Sequence, residues 1–362
     1  ETQVSRSVEA GVFEPVETEL AIDADDIVLA TGSRPLALPG NPFAGALIDS
    51  TQALELNTLP SSAVIIGAGA VALEFASLWN AAGCEVTLLI RKDRVLSTWE
   101  RRASMTLTRE LKRRGVNVIA RTAVDRVDTG ANLGATVHYR QGDSDEDRTA
   151  YGEVVLAAIG RVPNTDADWF RSSGLKLDER GYVTVDGYGR TNLDGVWALG
   201  DITPGHALAH RAFEQGITIA EKIAGADPKP VIDDTVPQVV FSFPEAASVG
   251  LTLDQAKARE DVVEPKETAY PMLSNARMLM SGEGGSMTVV SGAFANNPDM
   301  QVVLGVHIVS PIASDLIAEA EQLVGNRVPL ADAARLIHPH PTFSETLGEA
   351  LLKADGRPLH TR

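Results

Sequence analysis

The chain has 362 residues, 44% hydrophobic and 22% charged, with 31 glycines, which suits two or three α/β domains with real cores. A net charge of −17 repels phosphate backbones and argues against nucleic-acid binding, while no apolar run approaches the ~20 residues of a membrane span. The single cysteine, Cys84, rules out a disulfide within the chain and fits a reducing, cytoplasmic setting, where it reads as a small buried hydrophobe.

The opening ETQVSRSVEA has no charged-then-apolar leader and no initiator Met, so it reads as a fragment edge or a processed end. Residues 1–58 read as part of a first nucleotide domain. They hold a hairpin-like piece and then the apolar run Ile27-Val-Leu-Ala-Thr-Gly32, a buried strand whose closing glycine permits a tight turn beside a ligand. No glycine fingerprint precedes that strand, and a βαβ unit of ~30 residues is expected upstream of Glu1.

Residues 59–165 read as a complete second nucleotide domain. Ala63 to Gly67 is a short apolar strand, and Val71 to Ala82 has helical periodicity stopped by Gly83. Between them Gly67-Ala-Gly-Ala-Val-Ala72 matches G-x-G-x-x-A. There Gly67 permits the turn, Gly69 lets the backbone approach a pyrophosphate, and Ala72 allows close helix–strand contact. Glu85 to Ile90 is the next strand, and its end is where an NAD site wants an acid for the ribose hydroxyls. Ile90 stands there instead, followed by Arg91-Lys-Asp-Arg94. Arg91 could fork onto a 2′-phosphate; a solvated charge run, or Asp93 reaching a ribose, are the alternatives. A helix Arg101 to Arg114, a strand Val116 to Ala120 and a hairpin of Val124 to Asp128 with Ala135 to Tyr139 follow. An acidic loop, Gly142 to Asp147, then leads to a strand from Val154 that ends at Gly160.

Residues 166–232 return to the first domain. Gly195-Val-Trp-Ala-Leu-Gly-Asp201 ends a strand on a carboxylate able to accept from a sugar-alcohol chain, or simply to cap a turn. Ala207, Leu208, Ala209 and His210 then lead into a helix to Ala224, whose first amides could meet a flavin carbonyl or a phosphate. After a Pro/Asp linker, residues 233–362 read as a C-terminal α+β domain. Near its end His340 and Glu345 are spaced so that the carboxylate can fix the imidazole tautomer and raise its basicity, as proton transfer with a thiol requires; a Pro-rich turn with exposed histidines is the alternative. A metal site from His338 and His340 has no companion cluster.

The segments ATGSRPLALPG, GAGAVALEF, AAIGRVPN, GVWALGD, ALAHRAFEQG, FSFPEAASVGLT, LGVHIVSPIASDLIAEA and HPHPTFSETLGEALLKADGRPLH are spread from Ala30 to His360, along nearly the whole chain. On them the chain resembles the flavoprotein (pyridine nucleotide) disulfide oxidoreductases, and within that family the dihydrolipoamide dehydrogenases. The resemblance implies Rossmann-like FAD and NAD(P) domains, the first incomplete here, plus a C-terminal dimerisation domain. It implies a homodimer that moves electrons between a dithiol/disulfide, FAD and NAD or NADP, serving a 2-oxoacid dehydrogenase complex with a lipoyl carrier. His340 would be the acid–base residue acting on the partner subunit's disulfide, with Glu345 orienting it. Asp201 and the segment from Ala207 to His210 would contact FAD, and Glu74 would sit near the flavin–nicotinamide junction. Gly32, Gly67, Gly69, Ala72, Arg91 and Gly160 complete the expected cofactor contacts. The chain departs from the pattern in lacking the redox cysteine pair and the FAD fingerprint. The Ile90–Arg91 strand end also resembles NADPH-using glutathione reductases. An NADPH-dependent disulfide, mercuric or quinone reductase, or a non-catalytic nucleotide-binding and dimerisation fragment, is the alternative.

Overall fold

The computed structural model describes residues 3–8, 12–17, 22–130 and 134–361, the first two segments as backbone only. Its contacts divide the chain into two compact units: Glu1–Gly32 with Pro163–Val231, and Ser33–Val162 with Ile232–Arg362. Residues 33–58 thus pack with the second nucleotide domain, where the sequence reading assigned them to the first. The cause is Leu47–Ile48, which adds a parallel edge strand to that domain's sheet.

In the first unit Gln3–Val8 and Val12–Glu17 form an antiparallel hairpin, and Ile27–Leu29 pairs in parallel with Val196–Ala198. Helix Ala209–Ile223 follows, and a small core of Phe170, Leu175, Val183, Ala198 and Ile202 holds the unit together.

The second unit carries the larger architecture. Five parallel strands run in the order Leu47–Ile48, Val154–Ala157, Ser62–Ile66, Glu85–Ile90, Asn117–Ala120. Helix Ala70–Ala81 buries Ala72, Leu73, Phe75, Ala76 and Trp79, the i, i+3, i+4 stripe of a core-facing helix. Helix Arg101–Arg113 begins on Glu100, whose buried carboxylate accepts from the N–H groups of Arg102 (2.6 Å) and Ala103 (2.7 Å). The helix ends with Lys112 and Arg113, opposite charge to the dipole's negative end. The expected hairpin is a three-stranded antiparallel sheet: Thr122–Thr129 and Ala135–Gln141 gain Arg148–Gly152 as a third strand. That strand's RTAYG lacks a clean apolar alternation, so pairing rather than pattern creates it.

The C-terminal part is a five-stranded antiparallel sheet in the order Gln238–Val240, Glu245–Gly250, Asn297–Ser310, Ser286–Phe294, Val262–Tyr270. Ser286–Phe294 is buried along nearly its whole length, because helices Arg101–Arg113 and Glu345–Ala354 both pack on it. One core therefore runs from the nucleotide domain into this sheet, with Trp79 and Leu107 in the same cluster as Val240, Ala246 and Val309. Truncating Trp79 to alanine would cost about 3–5 kcal/mol by the usual cavity and transfer terms. A polar thread crosses the sheet. His307, fully buried, takes the Ser248 hydroxyl at Nδ1 (2.7 Å) and faces the Leu251 carbonyl through Nε2 (3.2 Å). Burial pushes its pKa down, so the ring is neutral.

Candidate functional site

The turn between Ser62–Ile66 and Ala70–Ala81 opens a cavity of about 700 Å³ at the carboxyl ends of the parallel strands. Gly67, Gly69, Arg91 and Gly160 all line it, which brings together three segments far apart in sequence. Gly67 has φ +145°, and a Cβ there would lie 2.2 Å from the Ala158 carbonyl oxygen. Only glycine fits between the two strand ends. Gly69 differs: its φ is −91°, and a Cβ would meet nothing within 4 Å. It caps the helix without a side-chain hydrogen bond, so the first helical amides face an open cradle of the kind a pyrophosphate fills. Ala72 is fully buried beneath this turn, and its methyl would be 3.3 Å from a Gly67 Cβ. The residues fit a dinucleotide. Glu74 is not part of that lining; its Oε1 accepts the Phe241 N–H at 3.0 Å, tying the helix to the C-terminal sheet.

In the first unit Asp201 lies in a short 3₁₀ turn, Gly200–Ile202, directly after its strand. Gln215 accepts the Gly200 N–H at 2.9 Å, and buried Arg211 donates to the Pro204 carbonyl at 2.6 Å, so helix Ala209–Ile223 fixes the loop that carries Asp201. Ala207 is exposed and Leu208 is the helix cap, so only Ala209 and His210 of the expected four lie within the helix. The Leu208 cap has no side-chain hydrogen bond, which leaves the helix N-terminus suited to an acceptor such as a flavin carbonyl or phosphate. Gly32 lies in the loop beyond strand Ile27–Leu29 in the same unit, its carbonyl accepting the Asn164 N–H at 2.9 Å.

His340 and Glu345 meet. The imidazole Nδ1 lies 2.8 Å from Glu345 Oε1, while Oε2 accepts the Thr342 N–H at 2.8 Å. The carboxylate is held from both sides at the start of helix Glu345–Ala354, and the His340 side chain is 73% exposed. Partial burial acts to raise the Glu345 pKa, but the Thr342 N–H, the His340 hydrogen bond and the charges of His340 and His360 outweigh it. The carboxyl therefore stays ionised below its ordinary range, as an orienting group should.

Two further His–Glu pairs flank this one. His338, half-buried, contacts Glu319 of helix Ala313–Gly325 through Nε2 at 2.9 Å and packs so closely on Gly348 that a Cβ there would lie 2.5 Å from its ring. His360 returns to Glu349, one turn beyond Glu345, at 2.7 Å. The sequence reading missed both, since Glu319 and Glu349 sit within ordinary amphipathic helices. It missed Ser97 and Thr122 of the nucleotide cavity too, for want of any local signal. Cys84 is buried, its thiol pushed up to about 11 by burial and then by Glu153 and Glu85, which makes it an inert core residue.

A cavity that fits a dinucleotide and a carboxylate-oriented imidazole on one α/β scaffold suit an oxidoreductase-type protein. The family model described as "Pyridine nucleotide-disulphide oxidoreductase" matches residues 2–216, and that family's dimerisation domain matches residues 236–351. The chain is 36% identical over 342 residues to a dihydrolipoyl dehydrogenase of Cupriavidus necator, covering 94% of this chain and 70% of that protein. It is 37% identical to one of Geobacillus stearothermophilus, covering 92% and 69%. The crystal structure of LpdA from Mycobacterium tuberculosis superposes with a TM-score of 0.81 at 28% identity, covering 97% of this chain and 72% of that one. The chain belongs to the pyridine nucleotide-disulphide oxidoreductase family and is similar to its dihydrolipoyl dehydrogenases. FAD and NAD(P) are the cofactors of that family. Among the described residues no helix is long and apolar enough to cross a membrane.

Proposed function

We propose that this chain contributes the pyridine-nucleotide cavity, part of the flavin site and the proton-handling pair of a cytoplasmic, homodimeric dihydrolipoyl dehydrogenase-like oxidoreductase serving a 2-oxoacid dehydrogenase complex. The observation that carries the reading is the His340–Glu345 contact, 2.8 Å long through Nδ1, on a side chain that is largely exposed. Glu345 keeps Nδ1 protonated, so Nε2 is the basic nitrogen that takes a proton from an approaching thiol and later returns it. Gly67, Gly69 and Gly160 admit the dinucleotide, and the helix after Gly69 offers its amides to the pyrophosphate. Asp201 and the amides from Ala209 are the flavin contacts that this chain supplies. Bound flavin provides the two-electron relay between nicotinamide and sulfur. In the family's dimer, His340 serves the disulfide of the partner subunit.

One cysteine among 362 residues favours a second reading, in which these residues form a nucleotide-binding and dimerisation module without dithiol chemistry of its own. An absorbance spectrum of the purified protein separates the two, since a flavin band near ~450 nm that NAD(P)H bleaches without oxygen belongs only to the first. In the disulfide-competent enzyme, His340→Gln should lower dihydrolipoamide turnover by roughly 10²–10⁴-fold and leave reduction of a one-electron dye acceptor nearly unchanged. Equal losses in the two assays would reduce the pair to a structural contact.

A further inference from the structure

We infer that the nucleotide cavity selects the 2′-phosphorylated cofactor, NADP(H), over NAD(H), with Arg91 and Lys92 as the phosphate ligands. The inference rests on the dinucleotide reading above and names which dinucleotide. A pyrophosphate over Gly67 and Gly69 sends the adenosine ribose to the end of the next parallel strand, Glu85–Ile90. Ile90 is fully buried there and carries no carboxylate, and Arg91 and Lys92 follow it directly into the cavity wall.

Charge makes the argument stronger than sequence position does. In a chain of net charge −17, the cavity lining holds Arg91, Lys92 and Arg161 and, among the described residues, no aspartate or glutamate. Asp93, the acid nearest in sequence, is outside the lining and paired with Arg94 at 3.0 Å. Arg94 is itself held on the Ser97 carbonyl at 3.1 Å. Neither Arg91 nor Lys92 has an ion pair or side-chain hydrogen bond with any described residue, so two exposed cations face the cavity without neutralisation. A merely solvated charge run would not need a fixed backbone. Here the buried Thr122 hydroxyl donates to the Ile90 carbonyl (3.1 Å), and the Arg121 N–H donates to the Lys92 carbonyl (3.0 Å). The two residues are thus clamped on either side, with Ser97 in the same wall. Ribose hydroxyls would find no acceptor carboxylate among these groups, whereas a 2′-phosphate dianion finds two positive donors.

The test is calorimetric titration of the purified protein with NADP⁺, NAD⁺, adenosine 2′,5′-bisphosphate and 5′-AMP. Each charge-assisted contact is worth roughly tenfold or more, so NADP⁺ should bind at least about tenfold tighter than NAD⁺, and the bisphosphate likewise over 5′-AMP. The preference should shrink as salt is raised. Arg91→Ser with Lys92→Ser, both exposed, should remove it by weakening NADP⁺ while NAD⁺ stays within about twofold. Equal affinities, or tighter NAD⁺, would overturn the selectivity and leave the dinucleotide reading standing. Failure of both dinucleotides to bind would overturn both.

Discussion

The two glycines of the nucleotide turn should fail in different ways when each gains a methyl. In Gly67→Ala the new Cβ would lie 2.2 Å from the Ala158 oxygen and 2.9 Å from its carbonyl carbon, where ordinary contact begins at 3.4 Å. Ala158 cannot retreat cheaply, because its N–H is bonded to the Ile66 carbonyl at 2.9 Å inside the sheet. A non-glycine residue at φ +145° costs about 1–3 kcal/mol, and overpacking against fixed backbone a further 1–3 kcal/mol. Together these lower stability by about 2–6 kcal/mol, a fall in Tm of roughly 5–20 °C for a unit of this size. Gly69→Ala meets no clash and no unusual backbone, and as a helix cap loses at most about 1 kcal/mol. Its methyl enters the open cradle before the helix amides, so dinucleotide affinity should fall roughly tenfold or more with Tm nearly unchanged. Scanning fluorimetry and calorimetric titration of both variants decide the matter. Similar Tm losses in the two, or normal NADP⁺ and NAD⁺ binding by Gly69→Ala, would refute the division of labour.

Other consequences follow from the carboxylates and imidazoles held by these contacts. The Glu319 hydrogen bond raises the His338 pKa above the ordinary 6.5 against the opposing effect of burial, so the native state holds that proton more tightly than the unfolded chain. The resulting stability is complete below that ordinary value and is lost as pH rises through the raised native one. Urea titrations of wild type and His338→Gln should therefore show a wider gap at about pH 6 than at about pH 9, and a constant gap would contradict the linkage. Glu345 has the opposite sign: its lowered pKa stabilises above the ordinary carboxylate value of 4.5 and stops doing so as pH falls through the native one. Glu345→Gln should accordingly cost stability at neutral pH and little in acid, by the same urea measurement. Glu100→Ala removes the cap of Arg101–Arg113 and leaves the Arg102 and Ala103 amides unsatisfied, a loss of about 1–2 kcal/mol or more, readable as a lower urea midpoint.

The sequence by itself determined what depends on neighbours along the chain. Gly67-Ala-Gly-Ala-Val-Ala72 between a strand and a helix, the closing glycines Gly32 and Gly160, and the five-residue interval from His340 to Glu345 are local patterns. Backbone geometry acts on them directly, and these elements formed where the pattern put them, with ends moved by up to three residues, although Ile27 and Val28 of the strand before Gly32 are exposed where the pattern predicts a buried strand. Tertiary structure decided what depends on distant segments meeting. Arg148–Gly152 became a strand only because Ala135–Gln141 offered it an edge, and Leu47–Ile48 joined the second sheet for the same reason. Glu74 turned to the Phe241 amide, and Glu319 and Glu349 each found an imidazole 19 or 11 positions away. The cavity's charge is the clearest case. An acidic chain gives no hint that one wall will hold no carboxylate of any described residue, because that depends on which strand ends the sheet gathers and on Arg94 drawing Asp93 aside.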